Sequence, residues 1–196
     1  MQPAAWYSRR REALERLRRH VSEGLVDSDI EDWLLRINED NACFFTTSSC
    51  SGRLVLLESA TSLLDKAGAR SLWVTHDARE CLDICRIPLS ELAAMGSRLS
   101  WLSLQPPILH FLSIDEGWAL EIVRCARESG FIRSCYRKEA GGYYFVEVAV
   151  HDKLHVTLPV DCTVVSALCS VMARYKERLE RFKTCIESLK ERCRHL

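Results

Sequence analysis

An α+β fold with a mixed, largely antiparallel sheet and flanking helices is what this sequence predicts, and three observations predict it. Segments with apolar residues at helical spacing sit at both ends and in the middle of the chain. Two strand–turn–strand patterns lie between them, and an α-β-β-β succession is echoed in the second half. With 196 residues, 47% hydrophobic and 28% charged, the chain can bury one sizeable core, and a single domain over 1–196 is expected.

Trp6, Tyr7, Leu14, Leu17 and Val21 line one face of a first, Arg-rich helix that Gly24 closes. A second helix begins with Ser28 or Asp29 as N-cap, carries acids in its first turn and buries Ile30, Trp33, Leu34 and Ile37. Cys43 to Glu58 reads as a hairpin: a strand, a tight turn ending at Gly52, and a returning strand that opens with Arg53. Leu63 to Ala67 is expected to form a short turn of helix, and Ser71 to His76 a third strand. Asp77 caps a further helix that Pro88 splits, and Leu89 to Met95 restarts it before Gly96.

Trp101 to Gln105 and Ile108 to Ile114 are one strand bent at Pro106-Pro107 or two strands meeting there. A helix then runs from Asp115 to Gly130. A second hairpin joins Phe131–Tyr136 to Tyr143–Val150 through Gly141-Gly142, and Leu154 to Val160 is another strand. Asp161 or Thr163 caps a long, basic last helix. Its Leu168, Met172, Tyr175, Leu179, Phe182, Ile186 and Leu189 alternate spacings of four and three, a seam for the protein's own core in preference to a coiled-coil partner.

The order helix with Trp33, strand, Ser49-Cys50 turn, strand, Trp73-Val74-Thr75 resembles helix with Trp118, strand, Ser134-Cys135 turn, strand, His155-Val156-Thr157. This echo predicts two pseudo-repeats, about 28–96 and 112–175, with a cleft between them that the Ser49 and Ser134 turns face from opposite sides.

Basic and acidic residues balance at 27 each, so no global field announces a polyanion, and any nucleic-acid surface is local. Charge is segregated nonetheless: Arg9 to Arg19 and Arg174 to Arg194 are basic, Asp27 to Asp40 acidic. The ten cysteines contain no C-x-x-C pair, so a zinc site is not expected. They are read as free thiols of a reducing compartment, with Cys81 and Cys85 on one apolar helical stripe. No apolar run reaches the roughly 18 residues of a membrane span. A cytoplasmic protein without a membrane partner is expected.

Phe44-Phe45-Thr46-Thr47-Ser48-Ser49-Cys50-Ser51-Gly52-Arg53 carries the chemistry. Its small residues present hydroxyls, a thiol and backbone N–H groups to a ligand, and Arg53 adds a planar fork of donors suited to a carboxylate or phosphate. His76 and His110, each in or ending a strand, supply a titratable base. A Ser-His or Cys-His hydrolase is conceivable on these residues, but no nucleophile elbow is evident. Only eight Gly are present, none arranged as G-x-G-x-x-G or G-x-x-x-x-G-K, which excludes a Rossmann cofactor enzyme and a P-loop NTPase.

That stretch, followed by Trp73-Val74-Thr75-His76, Leu104-Gln105-Pro106-Pro107-Ile108-Leu109-His110, Ser129-Gly130-Phe131 and Leu158-Pro159, closely resembles in the same order the motifs of tRNA wybutosine-synthesizing protein 3 over about residues 25–190. The resemblance implies a methyltransferase whose fold is not the Rossmann one. Its cofactor would be S-adenosylmethionine, and its substrate a ring nitrogen of the tricyclic wyosine precursor beside the anticodon of phenylalanine tRNA. It implies a cofactor- or substrate-binding set of Thr47, Ser48, Ser49, Cys50, Ser51, Gly52, Arg53, Trp73, Gln105, Pro106 and Ser134. His76 or His110 would accept or orient the departing proton, Cys50 would pack the turn without acting as a nucleophile, and no metal is implied.

The Arg-rich ends would lie along the anticodon stem-loop, and association with other wybutosine-pathway enzymes is implied as well. The chain departs from the family pattern at Gln105, where members commonly have Glu, and at Cys135, where they have Gly. Basic character is missing from Val146 to Val150, and the start of the last helix, Met172-Ala173-Arg174-Tyr175, is shortened. A non-catalytic RNA-binding paralogue is the alternative from a different class.

Overall fold

The computed structural model describes residues 3–39, 41–59, 68–86, 99–151 and 153–194. Pro88 and the helices expected over Leu63 to Ala67 and Leu89 to Met95 lie outside them. The elements run α1 (Pro3–Ser22), α2 (Glu31–Asn38), β1 (Phe44–Cys50), β2 (Arg53–Ser59), β3 (Arg70–Thr75), a 3₁₀ helix (Cys81–Arg86), β4 (Leu99–Gln105), β5 (Ile108–Ser113), α3 (Glu116–Glu128), β6 (Cys135–Lys138), β7 (Tyr144–Ala149), β8 (Leu154–Thr157) and α4 (Cys162–Arg194). The α+β class is as expected. The strands are divided between two antiparallel four-stranded sheets, a division the sequence reading did not include.

The chain also divides into two compact units that interleave along the sequence. The first comprises 1–51, 107–151 and 177–196, and the second 52–106 and 152–176. The α-β-β-β duplication stands as a proposal drawn from the sequence echo.

In the first unit the sheet order is β1-β5-β7-β6. Successive side chains of a strand point to opposite faces, and Phe44 and Phe45 use both. Phe45 meets Trp6 of α1 with ring centroids 5.0 Å apart, in a cluster with Ala13 and Leu112. Phe44 meets Phe111 at 6.3 Å and Trp118 of α3 at 6.1 Å. Phe182 of α4 extends that second cluster to Phe131 and to Trp33 of α2. Apart from the half-buried Trp118, these rings are fully buried, and each contributes about 1.5–3 kcal/mol from burial alone.

Buried Asn38 ties α2 to β1. Its Oδ1 accepts from Thr46 N at 2.7 Å, and its Nδ2 donates to Thr46 Oγ1 and Leu34 O. The helix starts at Glu31, later than the expected Ser28 or Asp29, because those residues form a turn in which Ile30 N donates to Asp27 O. Asp115 caps α3, its Oδ1 accepting from Trp118 N at 3.0 Å, and Gly130 ends the segment at φ +98°.

The second unit has sheet order β3-β2-β4-β8, with Leu54, Leu56, Leu102 and Leu104 buried in it. Asp161, not Thr163, caps α4: its Oδ1 accepts from Thr163 N at 2.7 Å and Val164 N at 3.1 Å. The predicted seam of α4 is buried along its whole length, Leu168, Met172 and Tyr175 in the second unit and Leu179, Phe182, Ile186 and Leu189 in the first. No described helix is long and apolar enough to cross a membrane.

Two expectations are overturned. Cys43 to Glu58 is not a hairpin: β1 pairs with β5, whereas β2 pairs with β3 and β4, so the chain leaves one sheet for the other at Ser51-Gly52. Strand propensity is local, and partner choice depends on strands that occur later in the chain. Pro106-Pro107 makes the return passage, separating β4 from β5.

The cysteines, read as free, form four disulfides: Cys43–Cys193 and Cys125–Cys185 in the first unit, Cys81–Cys169 and Cys85–Cys162 in the second. Cys50 and Cys135 take part in no disulfide. Each bridge runs from elsewhere in its unit to α4. The partners lie 60 to 150 positions apart, so no short spacing announces them. Closing loops of that length stabilises by about 4 to 5 kcal/mol each in the chain-entropy account.

Candidate active site

A bulge in β1 builds the most chemically capable group in the first unit. Thr46 pairs with Phe111 and Ser48 with His110, so Thr47 is an extra residue in the ladder. Such an insertion re-aims the side chains beyond it. It places Ser48 on the same face as His110, and the register continues the row: His110 lies opposite Glu147 of β7, and Glu147 opposite Cys135 of β6.

The side chains use that register. Ser48 Oγ is 2.6 Å from His110 Nδ1, and His110 Nε2 is 3.3 Å from Glu147 Oε2. A carboxylate only accepts, so Nε2 carries the imidazole proton toward Glu147, and Nδ1 accepts the Ser48 hydroxyl proton. Phe145 sets the ring plane, with centroids 5.1 Å apart and a 43° tilt. The His110 and Glu147 side chains are 24% and 40% exposed, so a substrate can reach them.

Beside this group lies a cavity of about 150 Å³. Apolar side chains of α1 and the following loop, among them Ala13, Leu17 and Val26, form one wall, and Thr46, Thr47, Ser48 and Ser49 form the other, with Arg16 and His20 at its edge. Ser49 Oγ is buried there with no hydrogen-bond partner among the described residues. Ser51 is buried, and its N–H donates to Asp27 Oδ2 at 2.7 Å. Cys50, the last residue of β1, is half-buried and outside the disulfides.

The second unit holds the cationic part of the motif. Arg53 opens β2 opposite Gln105, the last residue of β4, and donates from Nε to Gln105 Oε1 at 3.0 Å. That bond fixes the guanidinium and uses one of its five donors. Gly52 takes φ +84°, a conformation glycine adopts without steric cost, and its carbonyl accepts from Lys176 Nζ at 3.3 Å. Pro106 ends this segment half-buried, Trp73 lies half-buried in β3, and His76 stands one residue past the end of β3.

The structure thus brings Thr47, Ser48 and Ser49 together with His110 in one unit, and Arg53, Gly52 and Gln105 together in the other. Ser134 is spent on the fold: it is buried, donates to Phe131 O at 2.8 Å and accepts from Ala149 N. Sequence reading missed Glu147, although a lone carboxylate in the apolar alternation Tyr144 to Ala149 was a signal. It also missed Asp27 and Lys176, which no motif marks.

Residues 8–195 match the family model described as Methyltransferase TYW3. The chain is 32% identical over 193 residues to tRNA(Phe) 7-((3-amino-3-carboxypropyl)-4-demethylwyosine(37)-N(4))-methyltransferase 2 of Pyrococcus abyssi, covering 93% of this chain and 90% of that protein. It is 29% identical over 192 residues to the enzyme of the same name, without the final numeral, from Thermococcus sibiricus, covering 93% and 94%. Among solved structures, the PH1069 protein from Pyrococcus horikoshii superposes with a TM-score of 0.80 at 28% identity, over 95% of this chain and 98% of that one.

Proposed function

The chain belongs to the TYW3 methyltransferase family, and from that premise we propose that it methylates a ring nitrogen of the tricyclic wyosine precursor next to the anticodon of phenylalanine tRNA, with S-adenosylmethionine as donor. The observation that carries this reading is the hydrogen-bonded row Ser48–His110–Glu147. Methylation of an N–H nitrogen releases a proton, and this row has a path for it. The substrate proton passes to Ser48 Oγ as the Ser48 hydroxyl proton passes to His110 Nδ1. Glu147, bonded to the Nε2 proton, offsets the positive charge the ring then carries. His110 is the proposed base in preference to His76 because both of its ring nitrogens are engaged this way.

The residues present fit the donor. Arg53, held by Gln105 through Nε alone among the described contacts, keeps its terminal N–H groups for the donor's carboxylate. When bound, the donor supplies a methyl group on a sulfonium. The chain's own residues orient the two reactants and handle the proton, and orientation accounts for most of the rate.

A cytoplasmic location is proposed from the tRNA substrate alone, because the disulfides remove the support that free thiols would lend. Association with other enzymes of wybutosine formation is proposed on the same premise.

The test is to incubate the purified protein with S-adenosylmethionine and phenylalanine tRNA carrying the unmethylated tricyclic base, then digest and weigh the nucleosides. A gain of one methyl group on the tricyclic base is expected. RNA binding without donor binding or methyl transfer would select the non-catalytic paralogue.

A further inference from the structure

Two cations sit on aromatic rings beside the face of the first sheet that carries His110. Arg9 of α1 lies with Cζ 4.7 Å from the Tyr143 centroid, and Arg137 of β6 with Cζ 4.2 Å from the Phe145 centroid. Phe145 in turn touches the His110 ring, and Tyr143 and Phe145 both pack on the Trp6–Phe45 cluster. Both guanidinium groups are exposed.

Resting on the methyltransferase reading, we infer that this face docks single-stranded nucleotides of the RNA loop beside the target base. Phosphates would lie on Arg9 and Arg137, and flanking bases would stack on the guanidinium and aromatic planes. Single-stranded RNA is recognised through unstacked bases on aromatic or Arg planes, with cations tracking the backbone. A guanidinium already held over a ring loses less freedom on binding than a mobile one. The track ends at the proposed base, which is where a splayed target nucleotide must arrive. Two acids beside these groups are already engaged: Glu139 bonds Arg137 through Nε, and Glu147 holds His110. Arg137 retains its terminal donors.

The test is binding of a synthetic anticodon stem-loop RNA to the full chain, followed by fluorescence anisotropy across a salt series with no methyl donor present. In the Arg9→Ala/Arg137→Ala protein, Kd should rise about tenfold or more, and the slope of log K against log salt should fall by about 1.4, the value for two single-strand phosphates. Arg137→Lys should keep the slope yet lose affinity. Bound RNA should slow alkylation of Cys135, which is exposed in the same row, read by peptide mass analysis. An unchanged Kd and slope, equal weakening for the duplex stem alone, or an unprotected Cys135 would overturn the docking face. Because binding is read without the donor, a protein inactive in methyl transfer leaves this result readable. Active double-variant protein with unchanged KM for RNA would refute the docking face and leave the methyltransferase reading standing.

Discussion

Two paired strand ends, one in each unit, invite comparison. β1 against β5 sets Ser48 opposite His110, and β2 against β4 sets Arg53 opposite Gln105. Both pairs are cross-strand neighbours, and both flank a point where the chain passes from one sheet to the other. The first pair is titratable and linked onward to Glu147. The second is a permanent cation steadied by a neutral amide. Identical backbone logic therefore yields a mobile proton in one unit and a fixed charge in the other, and chemistry follows the side chains, not the ladder.

That division of labour makes ranked predictions. His110→Ala should cost most, about 10²- to 10⁴-fold in kcat with donor affinity kept, measured by single-turnover methyl transfer. Were donor binding to fall instead, the roles assigned to the two pairs would be reversed. Arg53→Ala should act on the opposite parameter, weakening S-adenosylmethionine by about 10- to 150-fold in calorimetry, the worth of hydrogen bonds to a charged group. Arg53→Lys should recover only part, since the fork is lost.

Glu147→Gln should slow turnover by about tenfold or less. The amide cannot offset an imidazolium charge, and partial exposure screens the effect. Unchanged kcat across the pH range would remove Glu147 from the first pair's chain.

Smallest is Asp161→Ala. The backbone N–H groups of Val164 and Thr163 hold the Asp161 carboxyl below its ordinary value. Its stabilisation is therefore present above the usual carboxylate range and lost as pH falls through the lowered value. The variant should melt slightly below the parent at neutral pH, and that gap should close in acid. A gap independent of pH would assign the loss to helix propensity and not to the charged cap.

Much of this was legible in the residues. The helices announced themselves through Asp115, Gly130 and the unbroken seam from Leu168 to Leu189, because apolar period and capping are encoded locally. The Ser48–Arg53 stretch and His110 stand out in the sequence because their residue types carry chemistry wherever they lie. The sheet change at Ser51-Gly52 was not legible, nor was the bulge at Thr47 that turns Ser48 toward His110. Both depend on which distant strand supplies the hydrogen-bond partner. Glu147 became interpretable only once β5–β7 register placed it against His110. The four bridges were hidden for a related reason: Cys81 and Cys85 look like one stripe, and only the course of α4 brings Cys169 and Cys162 to them.

Those bridges bear on how the molecule would respond to a protease. Every position between Cys43 and Cys193 is spanned by at least one crosslink, since Cys43 itself is joined to Cys193. A single backbone cut anywhere in that interval leaves both fragments in one covalent piece. On a denaturing gel the nicked chain would migrate as a single band until a thiol reductant is added, and only then separate.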